Sequence, residues 1–279
     1  MYSYILDIKG VDLPRVDVLT YSFPCQDLSS IGNGAGLGVG TRSGLRWEVK
    51  RILEELQVLQ KLPKFLLMEN VKNILSAAHY EGWNEFATFL ETLGYKNTMM
   101  NINALEVGIP QSRDRVFCVS ELNGKLNIAI ERKISNCDIQ DFLNINCDEH
   151  IVEYKASMPN HTPARIAYID KSKKLNDMSH CMTITTKADR SPNPGLLWCD
   201  SDGKLINNEE RDWSVNGNKS PFRFLTPREA LMLMGFDSSD YDLLIEAGLS
   251  NSQIYFLAGN SIVVPKLEAI FIQILKILK

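Results

Sequence analysis

The sequence predicts an α/β protein with a partly parallel sheet and a smaller, irregular second domain. Three observations carry this: the apolar run VDVLTY breaking at SFPC, a second apolar run KFLLM after a helical stretch, and the loss of periodicity between about Asn123 and Pro221. At the usual figure of roughly 150 residues per domain, 279 residues make about two domains. Apolar content of 44% and charge of 23% exclude disordered, collagenous and low-complexity classes. The formal charge of −4 argues against coating nucleic acid by bulk electrostatics, but leaves room for a reader whose basic groups are focused in a cleft.

The elements follow in order. Val16 to Tyr21 is short, β-branched and mostly apolar, as a buried parallel strand is, so Cys25 lies just past a strand end. The Gly-rich stretch from Ile31 to Gly44 reads as a loop, and Leu45, Val49, Ile52, Leu53, Leu56 and Leu59 then recur at helical spacing. Lys64 to Met68 is a second strand, ending at Glu69-Asn70-Val71. A strand, helix, strand unit crosses over right-handed into a parallel sheet, and ligands bind in the crevice outside the carboxyl ends of such strands. The topology therefore brings the Cys25 thiol and the Glu69 carboxylate toward one site. A helix around Trp83 to Leu93 comes next, then Thr98 to Leu105 and Arg115 to Ser120 as an antiparallel edge pair with Gln111, Arg113 and Arg115 at its turn.

Turn signals such as SPNPG (Ser191 to Gly195) mark the irregular module. Regularity returns where Thr226, Pro227 and Glu229 supply an N-cap hydroxyl, a first-turn proline and a capping-box carboxylate, with Gly235 closing the helix. The last helix packs back through Leu267, Ile270, Phe271, Ile274 and Leu278. The expected division is a core over 1–121, an inserted module over 122–222 and a returning segment over 223–279.

Six cysteines without a CxxC pair, and no targeting element, read as reduced thiols of a cytoplasmic protein. The four histidines form no spaced metal cluster. Lys266, Glu268 and Lys276 interrupt the apolar tail, so no membrane partner is expected. On residue type alone, Cys25 after Phe-Pro suits a displayed nucleophile as well as a small core residue, and Glu69 suits a functional carboxylate as well as a solvated strand end. The Gly-rich loop lacks the lysine of a phosphate-cradling GxxxxGK[ST] sequence and reads as a lid.

Taken together, PCQDLS, ENVKN, QSRDRVF, RFLTPREALMLMGFD and FLAGNSI occur in this order. In these blocks the chain resembles the bacterial DNA cytosine-5 methyltransferases of restriction-modification systems, from about Tyr2 to the C-terminus apart from the irregular module. That module corresponds to the family's variable target-recognition domain. The resemblance implies an S-adenosylmethionine-dependent, Rossmann-like α/β methyltransferase core acting on a flipped cytosine of double-stranded DNA. Cytosine C5 is too weak a nucleophile to take a methyl group directly, so a thiolate, matched here by Cys25, adds to C6 and makes C5 an enamine carbon. Glu69 matches the group that meets N3 and the exocyclic amine, which requires a carboxyl able to donate. Arg113 and Arg115 match contacts to the flipped nucleotide and its phosphate, and Arg115 also suits support of Glu69; without the other blocks, a surface pair with Asp114 would explain them equally.

The same resemblance places Gln26, Gln111, Thr183, Thr185, Lys187 and Arg190 on the DNA side, MTIT (Met182 to Thr185) being similar to the block before the DNA-reading loops. Asn260 and Ser261 match the cofactor side, and Asp7-Ile8 resembles a block that contacts the adenine. The family's opening Asp-Leu-Phe strand, Gly-x-Gly turn and ribose-binding acid do not precede Cys25. The core is therefore expected to be N-terminally incomplete and to transfer little methyl alone. Three arrangements follow: a split enzyme whose second polypeptide carries the missing block, a remnant, or a different arrangement that still binds cofactor. A cognate restriction endonuclease is a further expected partner, and a silent DNA-binding subunit and an RNA cytosine methyltransferase are the rival functions.

Overall fold

The computed structural model describes residues 4–23, 46–124, 128–131, 137–143, 147–162, 172–206 and 220–278. Cys25, Gln26 and the Gly-rich stretch from Ile31 to Gly44 lie outside them. Two compact units are formed, the first from residues 1–102, 114–130 and 273–279, the second from 103–113 and 131–272.

In the first unit, Val18–Tyr21 forms β1, Arg46–Val58 α1, Phe65–Val71 β2, Ala77–Thr92 α2, Tyr95–Asn103 β3 and Asp114–Leu122 β5. The sheet order is β1, β2, β5, β3. β1 runs parallel to β2, with Val18 opposite Phe65 and Tyr21 opposite Met68, as a strand, helix, strand crossover requires. β2 runs antiparallel to β5, from Phe65 opposite Glu121 to Val71 opposite Arg115. One face of the sheet receives both helices: Leu53 and Leu56 of α1, with Trp83, Phe86 and Leu90 of α2, pack in one core with Leu66, Met68, Val116 and Cys118. Phe86 is fully buried, and the rings of Tyr21, Trp47, Trp83 and Phe89 lie between 5.9 and 6.2 Å from it, in tilted and edge-on arrangements.

The RVFCVS run and the strand before it form the pair at one end of the sheet, as the sequence suggests, and the RVFCVS run is also antiparallel to β2. β5 lies between β2 and β3, and Val116 to Glu121 are all buried. A near-continuous apolar run is the mark of a strand covered on both faces, whereas β3, with its exposed Lys96, closes one side of the sheet.

The second unit holds β4 (Gln111–Ser112), α3 (Ile151–Ala156), β6 (Cys181–Met182), β7 (Leu197–Trp198) and β8 (Phe222–Arg223). Then come α4 (Pro227–Met232), α5 (Ser238–Glu246), α6 (Asn251–Asn260) and most of α7 (Val264–Leu278). Its described strands are two residues long, β4 pairing parallel with β6 and β7 antiparallel with β8, and 3-10 turns join them, so the module is irregular as expected. The units divide the chain elsewhere than at 122 and 222, because β4 pairs with β6 and so draws the QSR segment into the second unit.

α4 shows the local grammar read from the sequence. Thr226 Oγ1 accepts from Glu229 N at 3.1 Å, Glu229 Oε2 accepts from Thr226 N at 2.8 Å, Pro227 opens the helix, and Gly235 takes φ +86° after it. Glu229 also pairs with Arg223, whose Nη1 and Nη2 donate to its two carboxylate oxygens at 2.7 and 2.8 Å, with both side chains fully buried. Arg223 further donates to the carbonyls of Gly203 and Phe224 and lies over the Tyr154 ring. In α7, Ile270 and Ile274 are buried and Ile272 and Leu275 are about half exposed, so the helix turns the expected face inward.

Candidate active site

Strand pleating decides which side chains can meet in the first unit. Glu69 and Val71 lie on one face of β2, and Val71 is opposite Arg115 on β5, so Glu69 and Arg115 are diagonal neighbours on a shared face. Arg115 Nε stands 3.2 Å from Glu69 Oε1, each side chain 17% exposed. The pair is thus sheltered yet open to a ligand. Arg115 Nη1 also donates to the Asp114 carbonyl at 2.7 Å, while the Asp114 carboxylate takes Lys72 at 3.3 Å and Asn101 at 3.0 Å. Arg115 thus reaches Glu69 across the ladder as well as the main chain of its neighbour Asp114.

Asn70, on the opposite face, is buried and donates to the Phe23 carbonyl at 3.2 Å, while its Oδ1 accepts from Val71 N at 2.9 Å. Ser22 Oγ donates to the Glu69 carbonyl at 3.0 Å. The chain leaving β1 toward Cys25 is thereby tied to the end of β2 that carries Glu69. Asp7 is exposed at the end of a 3-10 turn, Ile5–Asp7. Arg51 of α1 holds that turn by donating to the carbonyls of Ile5 and Ile8 at 3.3 and 2.8 Å.

A second polar cluster belongs to the other unit. Gln111 and Arg113, expected at the nucleotide, are 0% and 2% exposed and turned onto main-chain groups. Gln111 Nε2 donates to the Leu233 carbonyl at 2.7 Å and its Oε1 accepts from Ile184 N at 3.1 Å. Arg113 donates to the carbonyls of Ile184, Gly259 and Ser261 at 2.8, 2.9 and 3.0 Å. Thr183 Oγ1 donates to the Ser112 carbonyl at 2.7 Å, and Thr185 Oγ1 accepts from Lys187 N at 3.4 Å. Lys187 and Arg190 project into solvent, Arg190 beside Asp189 at 3.0 Å. Asn260 ends α6 with an exposed side chain, and Ser261 caps it in an extended conformation.

Sequence reasoning missed three groups: Asn70, the Arg223 partner of Glu229, and Lys266, which is fully buried and donates to the Arg113 carbonyl at 2.6 Å. For two of them a signal exists. A lone basic residue inside an apolar stretch, as in PFRFL and IVVPKLEAI, has few ways to be satisfied except a buried acceptor.

The sheet with its parallel crossover, the helices packed on one face and the carboxylate beside a guanidinium near a strand end make an α/β arrangement that is shared with solved methyltransferases. A methyltransferase of Entamoeba histolytica, EhMeth, has this fold with a TM-score of 0.70 at 19% identity, covering 100% of this chain and 83% of that one. The Dnmt2 methyltransferase of S. pombe gives 0.68 at 21% identity, covering 99% and 83%. The family model for C-5 cytosine-specific DNA methylase matches residues 4–276, and the chain belongs to that family.

Among its relatives, the Type II methyltransferase M2.ScrFI of Lactococcus lactis subsp. cremoris is 36% identical over 97% of this chain and 70% of its own length. The orphan methyltransferase M.SssI of Spiroplasma monobiae is 34% identical over 95% and 67%. The family defines a DNA (cytosine-5-)-methyltransferase, and its cofactor class is a methyl donor of the S-adenosylmethionine kind. Among the described residues no helix is long and apolar enough to cross a membrane.

Proposed function

We propose that this chain methylates C5 of a flipped cytosine in duplex DNA, with Cys25 as nucleophile, Glu69 at N3 and the exocyclic amine, and Arg115 fixing Glu69. The observation that carries the reading is the Glu69–Arg115 pair, 3.2 Å apart and half-sheltered at the end of the strand to which the approach to Cys25 is tied. The Cys25 thiolate adds to C6, forming the S–C6 bond and moving the ring electrons toward C5 and N3. Glu69 donates a hydrogen bond at N3, so that the charge arriving there is met by a positioned group. C5 would then take the methyl group, the pair of the broken S–CH3 bond remaining on the donor sulfur, after which a base removes the C5 proton and the thiolate leaves C6. The aromatic ring and the free thiol are thus restored, and no redox partner is consumed.

S-adenosylmethionine, when bound, supplies the electrophilic methyl. The exposed Asn260 amide and the Ser261 cap suit the polar part of such a ligand, with Asp7 and Ile8 as further contacts. Lys187 and Arg190 are positioned for phosphate or base contact. The methionine and ribose side of the pocket is assigned to a further polypeptide segment bearing the Gly-x-Gly strand. Supporting this, β1 stands at an edge of the described sheet and Val18, Leu19 and Tyr21 are only half-buried, where a parallel strand is ordinarily covered on both faces. The Type II names of several relatives are the ground for a restriction-modification setting, to which a cytoplasmic location and a cognate endonuclease are added as part of the proposal.

Transfer of labelled methyl to duplex DNA, compared with transfer RNA, tests the substrate. Duplex DNA is expected to be the acceptor, whereas transfer RNA labelled in preference to duplex would replace this reading with the RNA enzyme.

A further inference from the structure

Between β6 and the exposed Lys187 and Arg190, the main chain is gripped from one side by the QSR segment. Gln111 takes the N–H of Ile184 at 3.1 Å, Arg113 its carbonyl at 2.8 Å, and Ser112 offers its own carbonyl to the Thr183 hydroxyl at 2.7 Å. Both polar main-chain groups of one residue and the side chain of its neighbour are therefore held by three consecutive residues. The same guanidinium reaches the turn after α6, donating to Gly259 at 2.9 Å and Ser261 at 3.0 Å. The buried Lys266 ammonium fixes the Arg113 carbonyl from behind at 2.6 Å.

The two stretches also touch directly. A Cβ at Gly259 would stand 2.2 Å from Thr186 N and 2.4 Å from the Thr185 carbonyl carbon, so main chain lies on main chain and no larger residue fits without displacing one of them. At 0% and 2% exposure, Gln111 and Arg113 cannot reach a phosphate without abandoning these bonds.

We infer that Gln111 and Arg113 are positioning residues that lock the Thr183–Arg190 stretch to the Gly259–Ser261 turn, so that the two move as one body. The inference deepens the proposed function, since it rests on Lys187 and Arg190 meeting DNA and on Asn260 and Ser261 meeting cofactor. Its consequence is reciprocal: whatever orders the turn also orders the DNA-side stretch.

Hydrogen exchange of the full chain, read by mass spectrometry, tests the joint without requiring activity. Arg113→Lys, which can reach one carbonyl in place of three, is expected to raise exchange at 183–190 and 259–262 together by tenfold or more, with β2 and β5 unchanged. Gly259→Ala perturbs the joint from the other side and is expected to raise exchange at 184–188, so the inference stays testable if Arg113→Lys loosens the whole unit. A rise confined to the mutated stretch in either variant would overturn it.

Binding to a mixed-sequence duplex over a salt series gives the second readout. Arg113→Lys retains a cation, so Arg113→Gln is used here, and its salt slope is expected to match the parent chain; a fall of about one would identify Arg113 as a phosphate contact and overturn the inference. Lys187→Ala and Arg190→Ala are expected to lower the slope. If they do not, the DNA-side reading fails while the joint is still judged by exchange.

Discussion

Glu69 and Arg115 meet because a two-residue pleat and one antiparallel register put them on the same face, two positions apart across the β2–β5 ladder. A guanidinium in that place holds the carboxyl of Glu69 in one orientation, which a flexible methionine of similar length cannot do. Arg115→Met is therefore expected to lower the methyl-transfer rate by roughly a hundredfold or more, the scale of a positioned proton donor, with DNA affinity changed far less. Comparable losses in rate and affinity would instead make Arg115 a binding residue. The structural thiols behave oppositely to the proposed nucleophile. Burial pushes Cys118, Cys181 and Cys199 up from the usual value of about 9 to about 12. Their native forms are thus expected to resist alkylation at pH 8 and to react on unfolding, as peptide mapping would show. Because the folded chain keeps protons that the unfolded chain loses, their contribution to stability is complete below about pH 9 and declines as pH rises toward about 12.

The element that best illustrates local and distant demands on one side chain is α4. Glu229 closes the capping box of Thr226 and neutralises the buried Arg223, so removing its charge leaves a guanidinium without a counter-ion in the interior. Glu229→Gln is expected to cost about 3–5 kcal/mol, the range for breaking a buried pair, and Thr226→Ala about 1 kcal/mol, the range for losing an N-cap. Urea denaturation followed by circular dichroism would check both, and equal small losses would show that the pair contributes no more than the cap. The cap was legible in TPRE because capping chemistry is local in sequence. The pairing with Arg223 was not, since which buried acceptor satisfies a basic residue depends on packing. The same limit explains Gln111 and Arg113: a polar motif at a turn reads as solvent-facing until the carbonyls of Ile184, Gly259 and Ser261 are seen around it. By contrast, the end of β2 at Glu69 was legible because apolar run length and crossover topology fix it.

At the scale of the whole molecule, the family match covers residues 4–276, while the chain spans 70% and 67% of the lengths of M2.ScrFI and M.SssI. On the proposed reading the nucleophile, the carboxylate and the DNA-side stretch lie in this chain, and the half-buried β1 leaves an edge of the described sheet that a further strand bearing a Gly-x-Gly turn would cover. Adding a polypeptide that bears that strand is therefore expected to raise methyl transfer at least tenfold over the chain alone. Full turnover by the chain by itself, with no response to the addition, would remove the need for such a segment. The most direct measurement of the central claim uses duplex DNA containing 5-fluorocytosine and labelled S-adenosylmethionine, with the complementing polypeptide present. Fluorine at C5 blocks the final elimination, so a labelled covalent adduct is expected with the parent chain and none with Cys25→Ala. An adduct that persists in Cys25→Ala, or methyl transferred to DNA with no adduct in the parent chain, would contradict the assignment of Cys25 as the thiolate that attacks C6.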